Sequence, residues 1–381
     1  MNGSHSSLKD FLRSLYAAAL AGADPALAVT RALRLRRVER ALRSARRLGV
    51  FAVGKAAGPM LEAAPAAEAL TVLPEGYPPP RGKESEVLFA SHPWPDRRSV
   101  AAARRALAFF RRFDKPDVIL CLISGGASSL LCLPRAGLTL PGKRAAIRKL
   151  MSAGASIVEI NRVRKKLSAI KGGKLGRATP ARLITLVLSD VPGDDPEMVG
   201  SGPTVRRRAG DITVVVGSNR SGLAAAARAA ARRGWTARLK AGRLDGEASE
   251  TGRRFALEAL RLPPGGVLLA GGETTVRLSE RSGIGGRNLE FALGAAHALE
   301  GAGDVAILAA GSDGIDGSSR AAGAVVDGTS IARARIAGLD PEAALARHDT
   351  EPFFEMLGDL VAPGPTGTNV GDWAFAVRRR P

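Results

Sequence analysis

The chain has 381 residues, with 56 Lys and Arg against 36 Asp and Glu, a formal charge of +20. That length supports two α/β domains with cores of their own, and so basic a surface attracts anions, nucleic acid among them. The basic residues are nevertheless scattered in short groups, such as Arg36 with Arg37, Arg46 with Arg47, and 206–208. Aromatic residues make up only 4%, which disfavours a base-stacking groove and leaves a solvated basic surface as the better reading.

Residues 7–34 read as two helices, with Leu8, Phe11, Leu12 and Leu15 at helical spacing. A strand over 50–53 runs into Gly54-Lys55 and an alanine-rich helix. A second, over 87–90, leads into His92-Pro-Trp-Pro-Asp96, where two prolines enforce an extended turn. A helix follows to Phe110, and 118–123 is an uninterrupted apolar strand. Helices are predicted over 141–153 and 156–170. In the latter, Ile157, Ile160, Val163, Leu167 and Ile170 form an apolar stripe that leaves Asn161, Arg164, Lys165 and Ser168 off it. Strands over 183–188 and 212–216 and a helix over 220–233 complete the first part.

A second part begins near residue 240. It reads as a helix across 247–260, strands over 266–270 and 274–278, a helix after Arg287, a strand over 305–310 and two helical patterns near 329–357. A glycine-rich loop and a last strand fill 366–377. Strands alternating with helices, several of them continuous apolar runs, predict an α/β fold with a mainly parallel sheet covered on both faces. The expected domains are 1–240 and 241–381. The stretch 118–134 is uncharged but broken by Ser-Gly-Gly, so it is no membrane span. Cys121 and Cys132 have no metal-ligand spacing, and the first residues lack a signal-peptide pattern. A soluble cytoplasmic protein is the expectation.

The chemistry sits in the loops. In LCLISGGASSLL (120–131) an apolar strand ends in a glycine pair, two serines and a short helix. Amides around Gly125 and Gly126 can converge on an anion, and the helix start adds partial positive charge. Ser124, Gly125, Gly126, Ala127 and Ser128 are therefore candidates for a phosphate seat, although the loop alone reads more readily as a tight turn with no ligand. Lys55 opens a helix at the carboxyl edge of a strand, where open α/β sheets place ligands. Its ammonium suits a transferring phosphoryl group, the alternative being a surface lysine.

Asp190 follows a buried strand, and its carboxylate there can hold Mg²⁺ or take a proton from a hydroxyl. Asp194 is the second candidate metal ligand, with a turn or helix cap as its alternative role. Gly200, Ser201 and Gly202 form another loop able to present amides. In the second part, Arg287 follows Gly285-Gly286, and its planar fork suits carboxylate or phosphate. The loop 311–317 carries Asp313 and Asp316 but lacks the alternating ligands and closing Glu of a calcium loop. Asn161, Lys165, Glu273, Asn288, Asp313 and Asn369 are candidates for substrate contact or for support of it.

Taken in order, the motifs VGKAAGPM (53–60), SHPWPD (91–96), LISGGASSLL (122–131) and EINRVRKKLSAIKGGKLGR (159–177) resemble the class II glycerate 2-kinase family. So do LSDVPGDDPEMVGSGPT (188–204), GGETTV (271–276), GGRNLEFAL (285–293), GSDGIDG (311–317) and TGTNVGDW (366–373). The family is also called MOFRL after its C-terminal domain. The resemblance implies a Rossmann-like N-terminal domain, a smaller α/β MOFRL domain and an active site in the cleft between them. It implies transfer of the γ-phosphoryl group of ATP to D-glycerate, giving 2-phosphoglycerate and ADP, with a divalent cation, usually Mg²⁺. By the same resemblance, Lys55, Asp190 and Arg287 match the family's functional lysine, aspartate and arginine.

Two departures stand out. The connection after Thr204 is shorter than in the family, and Ser318-Ser319-Arg320 replaces the family's Pro-Thr-Asp. The rival enzyme reading, an NAD(P)H-dependent hydroxypyruvate reductase, requires G-x-G-x-x-G after a strand. The first strand offers only Gly54-Lys-Ala-Ala-Gly58. A basic nucleic-acid-binding protein ranks below both, and oligomeric state is left open.

Overall fold

Two six-stranded sheets organise the chain in a computed structural model that describes residues 7–153, 157–206, 208–277 and 282–381. The first sheet contains β1 (Leu48–Val53), β2 (Glu68–Pro74), β3 (Glu86–Ala90), β4 (Val118–Ile123), β5 (Arg182–Leu188) and β6 (Ile212–Gly217). Its order is β3-β2-β1-β4-β5-β6, and every pair is parallel. β4 is apolar and buried throughout, and β5 is buried beyond Arg182, as in parallel sheets covered on both faces.

Strand order reverses between β1 and β4, which is where open α/β sheets place ligands. The register sharpens the point. Val53 pairs with Ile123, and Ile123 with Val187. The loops that follow at Gly54, Ser124 and Ser189 therefore leave the sheet side by side.

The second sheet contains β7 (Thr236–Leu239), β8 (Gly266–Gly272), β9 (Val305–Gly311), β10 (Gly323–Asp327), β11 (Leu360–Val361) and β12 (Asp372–Arg378). Its order is β11-β10-β9-β12-β8-β7, with only β7 and β8 parallel. Asp372 begins β12 opposite Gly272 of β8 and Gly311 of β9, so three strand ends converge on its carboxylate. Helices Ala248–Ala259 and Arg287–Leu299 approach closely at two glycines. A Cβ on Gly252 would meet the Phe291 carbonyl at 2.0 Å, and one on Gly294 the Ser249 carbonyl at 2.0 Å.

Two compact units result. One is Asp24–Ser218 with Gly367–Val370, and the other is Met1–Ala23, Asn219–Thr366 and Gly371–Pro381. This partition differs from 1–240 and 241–381. Helix Leu8–Gly22 packs against helix Asn219–Arg232, where Gly22 faces Ala225, and Tyr16 Oη donates to the Gly311 carbonyl at 2.6 Å. An amphipathic stripe tells that a helix is covered, not which sheet covers it.

Other local differences have local causes. The strand expected over 274–278 is absent among the described residues, and Thr275 makes only an isolated bridge with Glu247. β2, β7, β10 and β11 were not expected. Three helices, Ser330–Ile336, Pro341–Ala346 and Thr350–Leu357, replace the two patterns of 329–357. The helix expected over 156–170 is Ile157–Lys166, its expected first residue lying outside the described residues. Among the described residues no helix is long and apolar enough to cross a membrane.

Candidate active site

In the unit built on the parallel sheet, the loops after β1, β4 and β5 interlock. The Lys55 amide donates to the Gly125 carbonyl at 2.8 Å. Buried Ser124 accepts from the Ala56 amide at 3.1 Å, and its own amide donates to the Val53 carbonyl at 3.0 Å. Gly54, at φ +124°, has no room for a side chain: a Cβ there would meet Ser124 Oγ at 2.1 Å. Glycine is thus required both by conformation and by contact.

Four polar side chains gather over the glycine pair. A Cβ on Gly125 would lie 2.1 Å from Asp190 Oδ2 and 2.4 Å from Asn369 Nδ2. One on Gly126 (φ +84°) would lie 3.1 Å from the His92 ring and 3.4 Å from Lys55 Cγ. The amides of Gly125 and Gly126 donate to no acceptor among the described residues. Two undirected N–H groups beside a lysine can receive a small anion, which makes this the candidate anion seat. The helix behind it, Ala127–Leu130, spans a single turn. The backbone amides, more than a macrodipole, supply the positive potential.

Ala127, Ser128, Gly200, Ser201, Gly202 and Asn161 form the support behind this seat. Gly200 lies against Ala127, and Ser128 Oγ and Ser201 Oγ are 3.3 Å apart. Ser201 Oγ donates to Asn161 Oδ1 at 3.2 Å. All three residues of the Gly200-Ser201-Gly202 loop are left-handed, Ser201 included at φ 64°. The amides of Ser201 and Gly202 already donate to the Met198 and Val199 carbonyls. This loop therefore buttresses the seat and does not present free amides from those two residues.

Lys171 ties the two loops together and is absent from the sequence-derived candidates. Its Nζ donates to Ser128 O and Oγ, both at 2.7 Å. Burial drives its proton affinity well below the usual lysine value, reinforced by Lys143. The one sequence signal was a lysine directly before Gly172 and Gly173, both left-handed. Lys165, by contrast, is engaged with Glu197 at 3.4 Å.

Among the described residues no three of His, Cys, Asp and Glu gather in a metal-binding group. Magnesium at nucleotide sites usually takes one or two carboxylates with phosphate oxygens and water. Asp190, at the seat, fits that pattern. Asp194 sits in a left-handed turn at φ 55° in the loop beyond it.

In the other unit Arg287 is held as a fixed fork. Its Nε and Nη2 donate to Asp372 Oδ2 and Oδ1 at 2.5 and 3.1 Å, and Nη1 lies 3.1 Å from Glu273 Oε1. Burial opposes its charge, but Asp372 and then Glu273 outweigh that and raise its pKa further. Asp372 has a side chain only 5% exposed. It too was missed, because a loop-ending aspartate carries no mark of its partner.

Asp316 and Asn288 have structural work. Asp316 Oδ2 accepts from the Asn288 and Leu289 amides at 2.9 Å, and Oδ1 accepts from Asn288 Nδ2 at 3.2 Å, closing the start of the Arg287 helix. Burial pushes the Asp316 carboxyl up to about 7, with Asp372 adding to it and the two amides opposing. Asp313 stands near the same strand ends: a Cβ on Gly311 would lie 3.3 Å from Asp372 Oδ1 and 3.4 Å from Asp313 Oδ1.

Comparison with known proteins shows the family. Residues 11–232 match the family described as "Domain of unknown function (DUF4147)", and residues 266–372 match the "MOFRL family". An Agrobacterium vitis protein named "Putative hydroxypyruvate reductase" is 40% identical over 96% of this chain and 93% of its own. A "Glycerate 2-kinase" of Pyrococcus horikoshii is 34% identical over 86% of each chain. A crystal structure of glycerate kinase from Thermotoga maritima matches with a TM-score of 0.86 at 32% identity, covering 97% of this chain and 99% of that one. The chain belongs to the class II glycerate 2-kinase family, also named MOFRL.

Proposed function

We propose that the chain is an ATP-dependent glycerate 2-kinase that moves the γ-phosphoryl group to D-glycerate, giving 2-phosphoglycerate and ADP. One observation carries the reading. The undirected amides of Gly125 and Gly126, the Lys55 side chain and the Asp190 carboxylate meet at the switch point of a parallel sheet. Phosphoryl transfer asks the protein mainly for positioning and charge stabilisation. In this reading the two amides and Lys55 take up charge on the phosphoryl oxygens. Asp190 orients the acceptor hydroxyl and accepts its proton. Arg287, fixed by Asp372 in the other unit, keeps N–H directions suited to a carboxylate. Magnesium bound with the nucleotide would neutralise phosphate oxygens, and Asp190 would hold it as the alternative to its role as base.

The reductase name carried by a relative at 40% identity is the second reading. The loop after β1 opposes it. Gly54 is filled from beneath by Ser124, and the Gly54-Lys-Ala-Ala-Gly58 run lacks the dinucleotide fingerprint. Purified protein with ATP, Mg²⁺ and D-glycerate, with enolase as the coupling enzyme, tests the first reading directly. Oxidation of NADH or NADPH by hydroxypyruvate, without 2-phosphoglycerate formation in the first assay, would replace it with the second.

A further inference from the structure

A groove of about 730 Å³ opens on the unit built on the parallel sheet, and every residue that lines it belongs to that unit. Part of the lining is the end of helix Ile157–Lys166 and the chain after it, with Lys165, Lys166, Lys174 and Arg177. Another part is the connection after Thr204, with Arg206 and Arg208. With Lys171, seven cationic side chains face a single lining carboxylate, Glu197, among the described residues.

Three of these cations are already engaged. Arg206 gives its N–H groups to Asp211 and to the carbonyls of Gly176, Thr179 and Ala181. Lys165 stands 3.4 Å from Glu197, and Lys171 Nζ is bonded to Ser128. The other four keep their charge. Lys174 Nζ donates to the Lys165 and Ser168 carbonyls at 3.0 and 2.5 Å, Arg177 Nη2 to the Gly172 carbonyl at 3.4 Å, and Arg208 Nη1 to the Pro180 carbonyl at 2.8 Å. Backbone carbonyls hold these groups in place without cancelling their charge, and each keeps further N–H directions. Lys166 has no acidic partner among the described residues. A cleft lined by one sign of charge focuses its field and gathers counter-ions.

We propose that this groove binds a small soluble anion carrying two or more phosphate groups, at a place separate from the seat at Gly125 and Gly126. Charge asks for more than one phosphate. Lys166, Lys174, Arg177 and Arg208 stand uncompensated, whereas a single phosphate group brings at most about two negative charges. Size asks for a small molecule, since the volume lies within the range of about 300–1,000 Å³ typical of such sites. The lining holds no aromatic residue, and Val205 is its one apolar aliphatic side chain among the described residues. It therefore offers nothing on which bases could stack, as a single-strand nucleic-acid groove does, and no apolar face for a lipid surface. The inference rests on no reading of the reaction.

Calorimetric titration of the full chain at physiological salt tests this, with inorganic triphosphate, inorganic phosphate and a mixed-sequence oligonucleotide as probes. Triphosphate should bind at least tenfold more tightly than phosphate. Lys166→Ser with Arg208→Ser should weaken triphosphate by about tenfold or more, the worth of a hydrogen bond to a charged group. Both side chains are exposed, so this variant should melt at the wild-type temperature. Arg36→Ser with Arg40→Ser removes the same charge from helix Arg36–Arg43 and should leave triphosphate affinity unchanged. Lys55→Met, at the seat, should retain the binding lost in the groove variant.

Unchanged triphosphate affinity in the groove variant would overturn the proposal. So would equal losses in the two double variants, which would show attraction by net charge alone. Loss of binding in Lys55→Met, with the groove variant binding normally, would assign the anion to the seat. An oligonucleotide that binds through Lys166 and Arg208 more tightly than triphosphate would make the groove a nucleic-acid surface and overturn the choice of ligand. Failure of the kinase reading looks different: triphosphate would bind through Lys166 and Arg208 while no 2-phosphoglycerate forms.

Discussion

The carboxylate of Asp190 occupies the space that a side chain on Gly125 would need, 2.1 Å from the position of its Cβ. Gly125 is not in the left-handed region, so it is glycine for contact and not for conformation. Gly125→Ala should displace Asp190 and Asn369 while leaving β4 intact. Misplacing a catalytic group by about 1 Å costs roughly 100-fold in rate. The expected outcome is that loss in kcat with a cooperative thermal transition retained. A variant with wild-type turnover would mean that Asp190 does no work at this seat.

Lys55→Met and Asp190→Asn probe the seat directly. Removing one preorganised charge from a transition-state site typically lowers kcat by about 100- to 1,000-fold. Each variant should still unfold cooperatively, because the lock made by the Lys55 amide and by Ser124 is one that neither substitution removes. The coupled enolase assay and a melting curve on each variant check both halves of the statement.

Much of the first unit was legible because its signals are local. Buried parallel strands are uninterrupted apolar runs, and 118–123 was read to the residue. The loops that follow such strands must lie at the carboxyl edge, which brought Lys55, the glycine pair and Asp190 to one place. Less was legible where a role depends on a distant partner. Lys171 and Lys143 look like ordinary helix and loop lysines until the fold buries them. Ser201 was read as a ligand contact and Asn161 as a contact or its support, and the two meet each other behind the seat. β10 was missed because Gly-Ala-Val-Val-Asp is short, and its place in the sheet comes from pairing with β9 and β11.

Arg287→Ala should affect activity and stability together. The variant leaves Asp372 without the fork that receives both of its oxygens. A buried carboxylate left short of donors costs about 2 kcal/mol, so chemical denaturation should show a loss of that order beside the fall in turnover. Arg287→Ala with Asp372→Asn should recover the stability and not the activity. If the double variant is no more stable than the single, the pair is not what holds the strand ends.

The two glycines at the helix crossing give a prediction that is purely structural. Gly294→Ala would drive a methyl group against the Ser249 carbonyl and force apart the helices Ala248–Ala259 and Arg287–Leu299. Overpacking of a tight core costs about 1–3 kcal/mol, and backbone atoms yield less than side chains, so the upper end is expected. Gly252→Ala should behave alike, since it meets the same crossing from the other side. Equilibrium unfolding in urea measures both, and wild-type midpoints would show that the helices stand further apart than this crossing requires.

Asp316 sets a pH dependence whose sign is fixed by its burial. The folded protein holds the proton up to about 7, whereas the ordinary carboxyl value is 3.8. Between those values the native state binds a proton that the unfolded chain has lost, so this group's contribution to stability is full below pH 4 and declines as pH rises through 7. Asp316→Asn does not titrate, and its side-chain oxygen can still accept from the Asn288 and Leu289 amides. The stability of wild type relative to this variant should therefore fall steadily from pH 4 to pH 7 and level off above it. Unfolding free energies measured for both proteins across that range decide the matter. A difference that stays constant, or grows with pH, would show that the two amides outweigh burial and keep Asp316 ionised throughout.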